Sequence, residues 1–297
     1  LEENQMLKEF IEQYKQRVEK QFPTMINSLA GPQRLKDAML YSLEAGGKRI
    51  RPMLLYAVLH GYGRPAVMGD AAACALEMVH TYSLIHDDLP SMDNDDMRRG
   101  MPTNHRRFDE ATAVLAGDAM LTHSFHLIAA DQHLDDAVKV KLIEQLSRAS
   151  GAGGMVGGQM ADMLAEREEN ILAADLENIH EHKTGDLLAV GLQMGAVAAG
   201  ADEEAQKHLD LFGRHIGLSF QIKDDLLDVE GDEALIGKPV GSDQTNHKHT
   251  YVRLLGVEGA KKRLDEHTEA ALEALQHVHA DTSILSALAH YIRTREQ

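Results

Sequence analysis

Two aspartate clusters carry the residues best placed to do chemistry, Asp87-Asp88-x-x-x-x-Asp93 and Asp224-Asp225-x-x-Asp228. They lie far apart in the chain, each follows a strongly apolar helical run, and Arg98-Arg99 trails the first. Carboxylates ending greasy helices are costly to bring together unless a cation sits between them. Hard oxygen ligands of this kind suit Mg²⁺, which takes few protein carboxylates and leaves positions open for phosphate oxygens. Arginines beside such a cluster offer a bidentate grip on phosphate that lysine cannot copy. The pairing points to a diphosphate held by metal ions between two helices.

Helix geometry makes the clusters unequal. At about 100° per residue, Asp224 and Asp228 lie on one face, about 40° apart. The step from Asp87 to Asp93 leaves them about 120° apart on a regular helix. Pro90 stands between them and cannot continue the hydrogen-bond ladder. The sequence therefore predicts a helix ending near Leu89, Asp93 swinging back beside Asp87, and Asp95 and Asp96 running into a loop. An EF-hand does not fit: counting from Asp93, Arg98 replaces the required Gly and Asn104 the final Glu.

A second cationic element is Gly46-Gly47-Lys48-Arg49-Ile50-Arg51-Pro52, a glycine turn feeding a basic helix start. Its backbone N–H groups, with Lys48 and Arg51, suit a second phosphate. It is no P-loop, since Ser42 and Arg49 occupy two of the required positions. His80 lies two turns before Asp87 on the same face, as a site residue or an ordinary core histidine. His86-Asp87 matches the dyad of HD-type metal phosphohydrolases, a reading that leaves the second cluster and the basic turn unused. The glycines from Gly151 to Gly158 lack dinucleotide-loop spacing and instead suit close helix approach, with Gln159 and Asp162 one turn on. Lys183-Thr184-Gly185 falls at an expected helix break. Lys238 and Lys248 follow the second cluster. Arg293 and Arg295 near the chain end either close over the diphosphate pocket or, as chain-end basic residues more often do, stay solvated, which is the expectation taken.

These residues must be positioned by helices. Apolar residues from Leu7 to Phe22 predict an amphipathic first helix ending at Pro23. Further helices are expected over 33–45, 50–61, 69–89, 109–130, 135–149, 151–166, 172–183, 185–199, 203–229, 249–255, 258–277 and 282–293. Those over 69–89 and 203–229 are apolar on more than one face, as central helices are. No convincing strand and no linker appears, so one all-α domain over 1–297 is expected.

The 297 residues, 43% hydrophobic, suffice for a large core, which Leu, Ala, Met and Val must fill because aromatics are 4% and Trp is absent. A net charge of −17 argues against a nucleic-acid partner, yet local cations can reverse the field inside a cleft. The single cysteine, Cys74, sits in an Ala-rich run and is expected to be a buried, inert thiol; a reducing cytoplasm fits. No stretch suits a membrane span, and the first residues lack a signal-peptide core.

With these motifs assembled, the chain resembles the trans-isoprenyl diphosphate synthases, most closely the bacterial farnesyl type. GGKRIRP, HTYSLIHDDLPSMDNDDMRRG, GGQMADM, HKTG, FQIKDDLLD and GKPVGSD occur in the family's order, across about residues 30–295. The resemblance implies an isoprenoid synthase fold of about ten core helices around a cavity, and a homodimer. It implies up to about three Mg²⁺ ions per active site, held by Asp87 and Asp93 on one wall and Asp224 on the other, with Asp88 and Asp228 in support. Arg98, Lys183 and Lys238 would hold the allylic diphosphate, with Thr184 and Gln221 facing its reacting carbon. Lys48, Arg51, His80 and Arg99 would hold isopentenyl diphosphate.

Product length would be set below Asp87, where Tyr82 lies about 7.5 Å along the helix axis and Ser83 one turn back. A bulky Tyr82, with the Pro90-Ser91 insertion, implies a C15 product from dimethylallyl or geranyl diphosphate. The rival readings are a geranylgeranyl diphosphate synthase, a class I terpene cyclase, the phosphohydrolase, and a non-catalytic acidic helical protein.

Overall fold

Leu7, Phe10, Tyr14 and Val18 form the buried stripe of α1 (Glu2–Glu19), the spacing of an amphipathic helix packed on a core. The computed structural model describes residues 2–168, 170–230 and 249–295. Pro23 does not end the first helix. It sits in the opening turn of α2 (Phe22–Asn27), where its missing N–H leaves no bond unmade. There follow α3 (Gln33–Leu43), α4 (Ile50–Gly61) and α5 (Asp70–Asp87). A two-stranded hairpin, β1 (Met97–Arg98) and β2 (Met101–Pro102), leads into the short α6 (Asn104–Arg107) and the long α7 (Glu110–Ala129).

The second half runs through α8 (Asp136–Ser150), α9 (Met155–Ala165) and α10 (Ala173–His180). Residues Glu181–Gly185 form a π-helical turn that passes directly into α11 (Asp186–Ala199). The expected break at Lys183-Thr184-Gly185 is therefore a widening of a continuous helix, a feature that often marks functional sites. α12 (Glu203–Glu230), α13 (Tyr251–Leu275) and α14 (Ser283–Thr294) complete the described chain. α13 kinks at Gly256, where φ is 72°, which divides it as the sequence predicts.

α4, α5 and α11 are buried on most faces and form the centre. α5 packs on α7, α4 on α11, and α12 on both α11 and α13. Small residues set how close α4 and α11 come. A Cβ on Gly191 would approach the Arg51 carbonyl to 2.9 Å, and one on Gly195 the Leu55 carbonyl to 2.8 Å. The first turn of α4, with Arg51, is thereby fixed against α11. Cys74 lies in the core, and burial pushes its thiol well above the ordinary range, as expected of an inert thiol.

Candidate active site

Asp87 is the last residue of α5, and Asp88 caps it. Beyond Pro90 the chain turns back sharply: the Asp93 N–H donates to the Asp87 carbonyl at 2.8 Å, and the Asp95 N–H to the Asp88 carbonyl at 3.2 Å. Asn94 takes a left-handed φ of 54° to complete the turn. Asp93 is thus returned to Asp87, as the position of Pro90 predicts. Burial raises the Asp87 carboxyl to about 6, with Asp93 and Asp88 adding and Lys183 and Arg98 opposing. Crowded carboxylates of this kind favour a proton or a metal cation.

Arg98 is fastened to Asp88 by contacts of 2.6 and 2.9 Å, so one member of the first cluster is already paired. Arg99 and Gly100 both have positive φ, 53° and 76°, the pattern of a type I′ hairpin turn. The unfavourable Arg99 backbone is compensated at its side chain, which donates to the Gly46 carbonyl. Its guanidinium lies where a side chain at Gly47 would be: a Cβ there would come within 2.8 Å. Gly46 and Gly47, at φ 86° and 132°, form the bend that receives it.

The hairpin is also clamped from behind. The Tyr41 hydroxyl donates to the Pro102 carbonyl at 2.7 Å, and Thr103 Oγ1 to the Asp95 carbonyl at 2.8 Å. Asn104 Nδ2 donates at 2.8 Å to both the Ala38 carbonyl and Ser42 Oγ. These contacts tie the two arginines and the aspartate loop to α3.

The basic turn divides by function. Arg49 points inward, to Glu77 at 2.6 Å, Glu19 at 3.1 Å and the Leu43 carbonyl at 2.5 Å. It holds the turn, at a left-handed φ of 51°, and does not face the site. Arg51 lines the cavity, and its Nε has no hydrogen-bond partner among the described residues. Burial pulls Arg51 down to about 10, Glu77 opposing and Arg99 adding to the fall. His80 is held well below the ordinary histidine range by burial, then by Arg51, Arg99, Arg49 and Arg98. Lys48 is lowered by burial and by Arg295, and raised by Asp224. Each of these shifts would be relieved by a bound anion.

Across the cavity, Lys183 Nζ donates to Asp162 Oδ2 at 2.5 Å. Burial alone would lower Lys183, but Asp162, Asp87 and Asp93 together hold it above its ordinary value. Its neighbour Thr184 donates to Gln221 Oε1 at 3.3 Å, linking the π turn to α12. Gly158 of α9 permits this close packing, since a Cβ there would lie 2.2 Å from the Lys183 nitrogen. From behind, Arg214 pairs with Glu181 at 2.5 Å and Asp210 at 2.9 Å.

On α12, Asp224 lies one turn beyond Gln221 and receives Arg295 at 2.5 Å. Arg295 also donates to the Phe220 carbonyl and lies over the Phe220 ring. The expectation that Arg295 is solvated is corrected: its side chain is 2% exposed. Arg293 instead pairs at the surface with Asp265. Asp225 accepts from the Tyr251 N–H at 2.8 Å, anchoring the start of α13, and Asp228 is buried. Lys238 and Lys248 lie outside the described residues.

Hydrogen bonds and the pull of neighbouring charges link these groups in a ring. Asp87 neighbours Lys183, Thr184 reaches Gln221, Asp224 neighbours Lys48, and Arg99 returns from the basic turn to Arg98 and Asp88. Beneath it lies a cavity of about 370 Å³ lined by Arg51, His80, Tyr82, Ser83, Asp87, Lys183 and Thr184, with Met155, Met160 and Met163 giving it an apolar side. Sequence reasoning missed Asp162 as the partner of Lys183 and Asn104 as a clamp. The motif spacing marks neither contact. His86 Nε2 lies 3.1 Å from the Val114 carbonyl, so that ring bonds to α7, away from the role the dyad reading requires.

A ring of carboxylates and cations above an apolar cavity, on an all-helical scaffold, defines a protein that handles an anionic head with an apolar tail. Residues 32–288 match the polyprenyl synthetase family, and the chain belongs to it. It is 50% identical over 292 residues to a farnesyl diphosphate synthase of Geobacillus stearothermophilus, covering 98% of each chain. It is 42% identical to a chloroplastic geranylgeranyl pyrophosphate synthase of Catharanthus roseus, covering 89% of this chain and 75% of that one. Among solved structures, a geranyltransferase from Legionella pneumophila superposes with a TM-score of 0.87 at 34% identity, covering 98% of both chains.

Proposed function

We propose that this prenyltransferase condenses isopentenyl diphosphate with dimethylallyl or geranyl diphosphate to form farnesyl diphosphate. The observation that carries the reading is the ring of Asp87, Lys183, Gln221, Asp224 and Lys48 above a cavity that Tyr82 lines. Lys183, Thr184 and Gln221 would face the allylic substrate with Arg98, and Lys48, Arg51, His80 and Arg99 the isopentenyl diphosphate.

The donor set fits Mg²⁺. Among the described residues no three acidic, histidine or cysteine groups form a ready cage. Mg²⁺ needs none, because it takes one or two carboxylates and completes its shell with water and phosphate oxygens. Asp87, Asp93 and Asp224 would hold it, with Asp88 and Asp228 behind them. Bound there, the metal would neutralise the diphosphate and so favour its departure.

The chain's own residues do the remainder. Lys183 and Arg98 stabilise charge gathering on the leaving oxygen as the allylic C–O bond breaks. Thr184 and Gln221 set their oxygens toward the carbon left electron-poor. Arg51, Arg99 and His80 hold the second substrate so that its double bond supplies the electron pair for the new C–C bond. A proton is then lost, with the released diphosphate as its acceptor. The methionine-lined wall keeps water from the cation.

A homodimer fits the surface of α7, where Val114 and Leu115 stand 39% and 58% exposed, an apolar face that suits a second copy. No helix among the described residues is long and apolar enough to cross a membrane. The likeness to bacterial farnesyl diphosphate synthases over 98% of the chain supports the reading of one domain at work in the cytoplasm. The test is incubation with isopentenyl and dimethylallyl diphosphates and Mg²⁺, with products read by mass spectrometry. Farnesyl diphosphate is expected, with its loss in Asp87→Ala or with chelator. Geranylgeranyl diphosphate, a cyclic hydrocarbon, or inorganic phosphate without condensation would each overturn the reading.

A further inference from the structure

α5 presents two neighbouring rows of side chains. Ser83 and Asp87 form one, and Tyr82 and His86 the other, about 100° around the helix. All four line the cavity. Tyr82 and His86 are one turn apart and meet edge to face, with ring centroids 5.7 Å apart at 79°, a favoured aromatic geometry. Tyr82 is buried, 6% exposed.

His86 is fixed from its other side by α7. A carbonyl can only accept, so the contact at Val114 assigns the proton to Nε2 and leaves Nδ1 as the acceptor in the neutral ring. Gly117, on the same face of α7, makes room for it. A Cβ at that position would stand 2.1 Å from His86 Nε2 and 2.6 Å from Cδ2. The imidazole therefore fills the space a side chain at 117 would take, and moving away from α7 would cost it the bond to Val114.

We infer that His86 is a specificity-determining positioning residue, which fixes the Tyr82 ring as the end wall of the tail cavity by tying it to α7. The inference rests on Tyr82 limiting product length. Chain length then depends on the contact between α5 and α7, with Gly117 as its complement, and not on the bulk of Tyr82 alone. Without the imidazole, Tyr82 keeps its size but loses the ring that stops it turning, and a longer tail gains entry beside it.

The test compares His86→Ala, His86→Gln, Gly117→Ala and Tyr82→Ala in the full chain, with geranyl diphosphate and excess isopentenyl diphosphate. The readout is the C20:C15 product ratio, which is internal to each sample and independent of total activity. His86→Ala and Gly117→Ala should each raise that ratio by about tenfold or more. His86→Gln retains a donor for the Val114 carbonyl and should stay closer to the parent. A parent-like ratio in both His86→Ala and Gly117→Ala, alongside longer products from Tyr82→Ala, overturns the role of His86 alone. A parent-like ratio in Tyr82→Ala overturns the end-wall reading on which it rests. If His86→Ala does not fold, Gly117→Ala decides, because it displaces the same ring.

Discussion

Lys183 and Asp162 form an ion pair 2.5 Å long that spans the π turn and α9, and Asp87 and Asp93 act on the same ammonium from α5 and its loop. One cation thus answers carboxylates from two sides of the cavity. Asp162 fixes the position of the Lys183 ammonium.

Asp162→Asn should therefore leave Lys183 free to fold toward Asp87 and Asp93. We expect a loss in kcat/KM of about tenfold to a hundredfold, the size of a displaced charged contact. Steady-state kinetics with varied allylic diphosphate would measure it. An unchanged kcat/KM would show that the pair does no positioning.

Gly158→Ala tests the packing of the π turn. The added methyl meets backbone rather than a flexible side chain, so α9 and the turn must move apart. Overpacking of this kind costs about 1–3 kcal/mol. Thermal unfolding should show a lowered Tm, and activity should fall further than the Tm shift explains because Lys183 and Thr184 move with the turn.

Asn104→Ala removes both amide bonds to α3. The hairpin carrying Arg98 and Arg99 should loosen, raising KM for the diphosphates by about tenfold, with a stability loss of about 1–3 kcal/mol. Equal KM values in parent and variant would assign Asn104 to the fold alone.

His180 sets a pH limit on stability. It is buried and stacked on Tyr251, and neither ring nitrogen has a partner among the described residues. Burial lowers it to about 4 from 6.5, with Lys183 adding and Asp162 opposing. The unfolded chain therefore binds the proton more readily than the folded one between these values. Stability is full above 6.5 and declines as the pH falls toward about 4, by up to about 3 kcal/mol from this group. Urea unfolding from pH 8 to pH 4 should show that slope, and His180→Phe should make it shallower.

Much of this arrangement was legible in the sequence. The helices over 50–61 and 203–229, and the return of Asp93 to Asp87 after Pro90, follow from periodicity and from proline's missing donor. Periodicity identifies faces but not partners. It could not place Asp162 against Lys183, nor turn Arg49 inward while Arg51 lines the cavity from the same basic run. The π turn was legible only as a break at Lys183-Thr184-Gly185, because weak helix formers mark a disturbance without saying whether the helix stops or widens. It is held by Gly158, Gly217 and Arg214, which come from other helices. Pro23 is ambiguous by sequence because the same residue that ends one helix can open the next. Lys238, expected beside the second cluster, lies outside the described residues.

The arginines gathered around His80 have a kinetic consequence. A diphosphate in solution approaches a protein of charge −17, and at long range it is repelled. The cationic pocket takes over only within about a Debye length, about 8 Å at physiological ionic strength. Capture and retention therefore respond to salt in opposite directions: screening speeds the encounter and weakens the grip. A substrate that arrives already complexed with a divalent ion meets the smaller barrier. Turnover should thus peak at an intermediate ionic strength.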